Sequence, residues 1–187
     1  MTATDRSKKP FQIGVLSVVK HSYLPRAITD HPRFQLQFVA DDADRPEWTH
    51  ERNQLFADEF HIPYLRDVRK ALEDHDLDAV VVSSEAERHC DLAILAAEAG
   101  LHLVVDKPLS TRLDNCDRLI QAIEQNRVKC LIWNRISLPA IIQAKEAIEA
   151  GKIGKLSALH CDFYFSKDAG PPIGSRNAGD PPINWLE

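Results

Sequence analysis

The stretch Leu77–Pro108, LDAVVVSSEAERHCDLAILAAEAGLHLVVDKP, decides the fold. Leu77 to Ser83 is a near-continuous apolar run containing three consecutive valines. It is too short for a buried helix and lacks the polar alternation of a half-solvated strand, so it predicts a strand covered on both faces of a parallel sheet. Glu85 to Ala99 turns alanine-rich, with Leu92, Leu95, Ala96 and Ala99 at helical spacing and Gly100 placed to end the helix in the left-handed conformation. Leu101 to Val105 then repeats the apolar run. Strand, helix and strand in immediate succession make a βαβ unit, whose crossover forces the two strands to be parallel.

The same alternation extends outward. Towards the N-terminus, Phe11 to Leu16 and Phe34 to Ala40 are β-rich runs around a brief helix at Ser22 to Thr29, and the second run closes on Asp41 and Asp42. Glu47 to Phe60 follows as a helix with apolar positions at Trp48, Leu55 and Phe56, then a short extended piece at Ile62 to Tyr64 and a helix around Val68 and Leu72. Towards the C-terminus, Thr111 to Asn126 and Leu138 to Ala150 read as helices on either side of a strand at Lys129 to Trp133. This order predicts an α/β fold with a doubly wound parallel sheet over residues 11–135, a Rossmann-type arrangement that takes ligands at the carboxyl ends of its strands.

Leu156 to Phe165 changes character, placing Leu159, Cys161, Phe163 and Phe165 on one face and His160, Asp162 and Tyr164 on the other. That alternation predicts a one-face-buried strand of another sheet, so residues 136–187 are expected to begin a second, truncated α/β domain. A lone strand cannot cover its own apolar face. The missing surface is expected from further chain or from another copy, which would make a homo-oligomer. Gly170 to Pro182, rich in proline and glycine, reads as a loop or tail.

Composition narrows the class. The chain has 187 residues, 44% of them apolar, with 28 acidic and 23 basic side chains for a net charge of −5. That suffices for a packed core, and the absence of a basic block argues against a nucleic-acid partner. No apolar run approaches the roughly 20 residues needed to cross a bilayer, and the polar leader Met1–Pro10 has no signal-peptide core, so the expectation is a cytoplasmic protein without a membrane partner. The four cysteines and eight histidines show no metal-ligand spacing, and none is assigned to a metal.

Two places carry candidate chemistry. After the first strand, Ser17, Val19 and Ser22 stand at the three glycine positions of a G-x-G-x-x-G phosphate loop, so the fingerprint is lost and a β-branched Val19 is expected to hinder a pyrophosphate. Asp41, ending the second strand, stands where a carboxylate accepts hydrogen bonds from an adenosine ribose, which favours NAD over NADP. The second place is Asp106-Lys107-Pro108, where a lysine at a strand's carboxyl end can donate hydrogen bonds to a substrate oxygen.

Around Asp106-Lys107-Pro108 the chain resembles the Gfo/Idh/MocA oxidoreductases, the family of glucose–fructose oxidoreductase and inositol dehydrogenase. Their E-K-P signature follows a helix ending A-G-x-H, matched here by Ala99-Gly100-Leu101-His102. Val80-Val81-Val82-Ser83-Ser84 with His89 is similar to the family's V-x-I-x-T-P and following histidine, and Asn134-Arg135, Pro139 and Gly151-Lys152-Ile153-Gly154 are similar to its N-R-R, P and G-x-I-G elements. The resemblance covers about residues 11 to 165. It implies an NAD- or NADP-dependent oxidation of a sugar, polyol or related hydroxy compound. In that role Lys107 is catalytic and orients the reacting oxygen, Asp106 holds the lysine and meets the nicotinamide ribose, and Ser17, Asp41, Ser83, Ser84 and His89 line the cofactor crevice.

Three departures accompany the resemblance: the lost glycines, Asp106 in place of the usual glutamate, and the loss of almost all of the family's substrate domain, which supplies an aspartate and a histidine and of which residues 136–187 are expected to be the truncated beginning. The alternative is a non-catalytic Rossmann module that binds nucleotide weakly and acts through protein contacts.

Overall fold

The computed structural model describes residues 9–134, 136, 138–160 and 162. The chain divides into two compact units, Met1–Asn134 and Arg135–Glu187. In the first, the strands are β1 (Phe11–Leu16), β2 (Phe34–Ala40), β3 (Tyr64–Leu65), β4 (Ala79–Val82), β5 (His102–Val105) and β6 (Cys130–Ile132). They alternate with α1 (Tyr23–Thr29), α2 (Glu47–Glu59), α3 (Val68–Asp74), α4 (His89–Glu98) and α5 (Leu113–Asn126). All strand pairs are parallel, in the order β3-β2-β1-β4-β5-β6. The order reverses direction at β1, so the β1/β4 boundary is the switch point at which such sheets open a crevice.

Apolar residues cover the sheet on both faces, as the valine runs require. One face packs Leu16, Phe38, Val80, Val82 and Val105 against α3, α4 and α5; the other packs Ile13, Val15, Val39 and Val81 against Leu24 of α1 and Phe56 of α2. Consecutive valines 80, 81 and 82 thus serve opposite faces, each fully buried. Burial of such a side chain stabilises by roughly 1.5–3 kcal/mol. A register shift between Ile13 and Gly14 skips Gln37, pairing Gly14 with Phe38. The Phe38 ring lies where a side chain on Gly14 would be, with Cζ only 2.9 Å from an added Cβ.

Three expectations need correction. The fourth helix starts at His89 and not at Glu85, because Ala86–Arg88 form a turn in which the Arg88 N–H donates to the Glu85 carbonyl. On α2, Leu55 faces solvent, and the inward face carries Thr49, His50 and Asn53 beside Phe56 and Ala57. Residues 156–160 are exposed and without regular secondary structure, so the described part of the expected second-sheet strand has no ladder. An alternating pattern forms a strand only when a neighbouring strand takes up its backbone groups, and none does so among the described residues. Arg135, Cys161, Phe163, Tyr164, Phe165 and the Gly170–Pro182 segment lie outside the described residues.

The second unit contains α6 (Pro139–Glu149), begun by proline at its first turn and ended before Gly151, which takes φ 68°. None of its residues is buried, and Ile141, Ile142 and Ile148 are exposed.

Candidate functional site

The loop after β1 is tied into the sheet by its own amides. Ser17 N–H donates to Ala40 O at 2.9 Å, Lys20 N–H to Ser83 O at 3.2 Å, and Val18 N–H to the Asn53 side-chain oxygen at 2.8 Å. Ser17 adopts φ 63°, the left-handed turn for which a phosphate loop ordinarily uses glycine. An unbranched side chain meets less crowding there than a β-branched one. The turn therefore survives the loss of the glycine. Val19 is 7% exposed.

At the β2 end, Asp41 is fully buried. Its Oδ1 accepts from Arg88 Nη2 at 2.5 Å and from the Asp42 N–H at 2.9 Å, while Oδ2 accepts from Asn53 Nδ2 at 3.0 Å. Asn53 thus bridges Asp41 to the β1 loop. Arg88 also reaches Asp42 and Glu85, each at 3.3 Å. Burial opposes the charge on the Arg88 guanidinium, but the hydrogen bond and field of Asp41, with Glu85 and Asp42, outweigh it and hold Arg88 above its ordinary value.

The β4 and β5 ends form a second network. Ser83 Oγ donates to the His21 carbonyl at 3.0 Å, and Ser84 Oγ to the Glu85 carbonyl at 3.1 Å. Asp106, fully buried, accepts the Lys107 N–H on Oδ1 at 2.8 Å and is hydrogen-bonded through Oδ2 to His21 Nδ1. It therefore anchors the lysine's backbone through one oxygen. His89 lies between two carbonyls, Nδ1 at 2.7 Å from Pro108 O and Nε2 at 2.9 Å from Ser84 O. That bridge ties the β4 loop to the cis Lys107-Pro108 turn.

Ser17, Asp41, Ser83, Ser84, His89 and Asp106 are thus all at most 1% exposed and make up a buried polar floor at these strand ends, whereas Lys107 is partly exposed. His21 and Arg88 belong to this floor without having been singled out from sequence. They join residues 85 and 47 positions away, respectively, and no local pattern marks such pairings.

Residues 13–133 match the Gfo/Idh/MocA oxidoreductase family in its NAD-binding Rossmann fold. The chain belongs to this family. Among relatives of this Gfo/Idh/MocA chain, a levoglucosan dehydrogenase of Pseudarthrobacter phenanthrenivorans is 30% identical over 59% of this chain and 29% of its own length. A myo-inositol 2-dehydrogenase of Thermotoga maritima is 35% identical over 65% of this chain and 33% of its own. The chain spans about a third of the length of the curated relatives it matches. Its fold is that of the WlbA dehydrogenase of Bordetella pertussis, solved with NADH and UDP-GlcNAcA, with a TM-score of 0.69 at 23% identity over 78% of this chain and 44% of that one.

The residues fit a dinucleotide, as the family requires, with one alteration. The turn at Ser17 is in place, and the buried Ser17 hydroxyl has no hydrogen-bond partner among the described residues. The alteration lies at Asp41, the carboxylate expected to meet a ribose, which is buried and paired with Arg88. The Asp42 side chain, also paired with Arg88, is 46% exposed.

Proposed function

We propose that residues 11–135 are the dinucleotide-binding half of an NAD(P)-dependent oxidoreductase acting on a sugar, polyol or related hydroxy compound, and that residues 136–187 begin its substrate domain. The observation that carries this reading is Lys107, partly exposed at the carboxyl end of β5 with its backbone pinned to buried Asp106. Both relatives described above are named for polyhydroxylated rings, levoglucosan and myo-inositol, which supports the substrate class.

In this reading the β1 loop holds the pyrophosphate, with Ser17 at its turn. Ser83, Ser84 and His89 act from beneath, fixing the loops that line the crevice. The Lys107 ammonium donates to the substrate oxygen and stabilises negative charge as the carbonyl forms. The bound dinucleotide supplies the acceptor for the hydride from the carbinol carbon. NAD is favoured over NADP on charge, since Asp41, Asp42 and Glu85 together face one guanidinium and would repel a 2′-phosphate. A cytoplasmic location belongs to the same reading, supported by the free thiols of Cys90, Cys116 and Cys130.

Turnover by the protein in its full-length form, measured as reduced nicotinamide with a panel of inositols and anhydrosugars, tests the assignment. Lys107→Ala is expected to abolish turnover with NAD affinity retained; unchanged turnover contradicts it. The closed Asp41–Arg88 pair favours a second reading, a non-catalytic module acting through protein contacts. Failure of both NADH and NADPH to bind would select that one.

A further inference from the structure

We infer that Cys90 and Cys116 are a redox pair whose disulfide loosens the turn that carries Lys107. The first two residues of α4 grip consecutive carbonyls of that turn: His89 Nδ1 lies 2.7 Å from Pro108 O, and Cys90 Sγ donates to Leu109 O at 3.4 Å. The Leu109 side chain packs on the same core that encloses Cys90, so the segment after Lys107 is held by side chain and carbonyl together. Cys116 stands in the first turn of α5, which packs along α4. Both helices follow neighbouring parallel strands and begin at the carboxyl edge of the sheet, which sets their first turns side by side. Asp91, next to Cys90, and Arg118, two residues beyond Cys116, pair at 3.4 Å and join the helices at this level. The Cys116 thiol lies alongside Cys90, close enough to bear on its ionisation. Both thiols are free, Cys90 fully buried and Cys116 partly exposed.

Exposure divides the work between the two sulfurs. Cys116 is the one a small oxidant reaches, and Cys90 answers from inside the core. With hydrogen peroxide as oxidant, the Cys116 thiolate attacks one peroxide oxygen, the O–O bond breaks, and Cys116 becomes a sulfenic acid as hydroxide leaves and takes up the thiol's proton. The Cys90 sulfur then displaces the sulfenic oxygen, which departs as water with the Cys90 proton, and the S–S bond forms. Two thiols are oxidised to one disulfide while one peroxide is reduced to two waters. Burial keeps Cys90 protonated at neutral pH, so it reacts with its neighbour and not with the oxidant. A disulfide sulfur has no proton to donate, so the Leu109 carbonyl loses its partner beside the carbonyl that His89 holds. The effect on the reaction rests on the oxidoreductase reading, in which Lys107 orients the reacting oxygen; the formation of the disulfide does not.

The test treats the folded full chain with hydrogen peroxide and digests it with trypsin without reduction. Cleavage at Arg88, Arg112 and Arg118 separates the two cysteines, and Lys107 is protected by the proline after it, so the disulfide joins peptides 89–112 and 113–118. Mass spectrometry is expected to find that joined species, lost on reduction and absent from Cys116→Ser and Cys90→Ser. Hydrogen exchange over residues 106–112 is expected to quicken on oxidation of the wild-type chain, with circular dichroism unchanged, and to stay as it was in Cys116→Ser. Cys116 driven to a sulfinic acid with Cys90 left as a thiol, a bond from either residue to Cys130 or Cys161 instead, or a link that forms only in urea overturns the pair. A link that leaves exchange over 106–112 unchanged overturns the switch. In the active full-length enzyme, oxidation is expected to lower turnover by roughly 10- to 10²-fold, the order that a displaced positioning group costs, and dithiothreitol to restore it; oxidised enzyme with full turnover overturns the switch. If the link and the faster exchange appear but the reduced enzyme turns over no hydroxy compound, the oxidoreductase reading falls and the pair stands.

Discussion

Arg88 Nη2 lies 2.5 Å from Asp41 Oδ1, joining the loop after β4 to the end of β2 across 47 positions of sequence. The pair spans the switch point of the sheet, and Asn53 extends it to the Val18 amide of the β1 loop. The carboxylate that the sequence offers to a ribose is thereby part of the protein's internal wiring.

Removing the guanidinium leaves Asp41 buried with two neutral donors, and breaking one side of a buried pair costs about 3–5 kcal/mol. Arg88→Ala is therefore expected to be strongly destabilised in urea titration, with Arg88→Ala/Asp41→Ala less destabilised than the two single effects added together. Strict additivity of the two would show that the pair is not coupled in solution.

Gly14 faces the buried Phe38 ring, and an added methyl would lie 2.9 Å from Phe38 Cζ and 3.1 Å from Leu77 Cδ1. Gly14→Ala should cost about 1–3 kcal/mol through overpacking. For a domain of this size each kcal/mol lowers Tm by roughly 2–4 °C. An unchanged melting temperature would contradict the close approach of the Phe38 ring to the Gly14 backbone at the register shift.

Burial, reinforced by Cys116, pushes the Cys90 thiol from 9.0 up to about 11. Because the folded value lies above the unfolded one, the contribution to stability is whole below pH 9.0 and is lost as the pH rises through about 11. Chemical denaturation across that window should show a loss of stability that Cys90→Ala reduces. Near neutral pH the native thiol should resist alkylation until the protein unfolds; rapid modification of folded protein would contradict its burial.

Much of the fold is legible because apolar periodicity is local. The limits of β1 and β2 fall where Phe11–Leu16 and Phe34–Ala40 place them, since residues that are buried on both faces leave little choice of register. The start of α4 was not legible: Glu85–Ala99 has helical spacing throughout, but the Arg88 side chain is committed to Asp41 and Glu85–Arg88 remain outside the helix. Lys107 could be singled out from its Asp and Pro neighbours alone, whereas His21 acquires its place only when β1 and β5 bring it to Asp106. Leu156–His160 has the alternation of a strand but no described strand beside it.

The central claim is that the carboxyl ends of β1, β4 and β5 bind a nicotinamide dinucleotide. Titration of the chain with NADH, followed by nicotinamide fluorescence, is its most direct measurement. The account predicts saturation at one NADH per chain, competition by AMP, and weaker binding of NADPH. No saturable binding of either cofactor at millimolar concentration would contradict it.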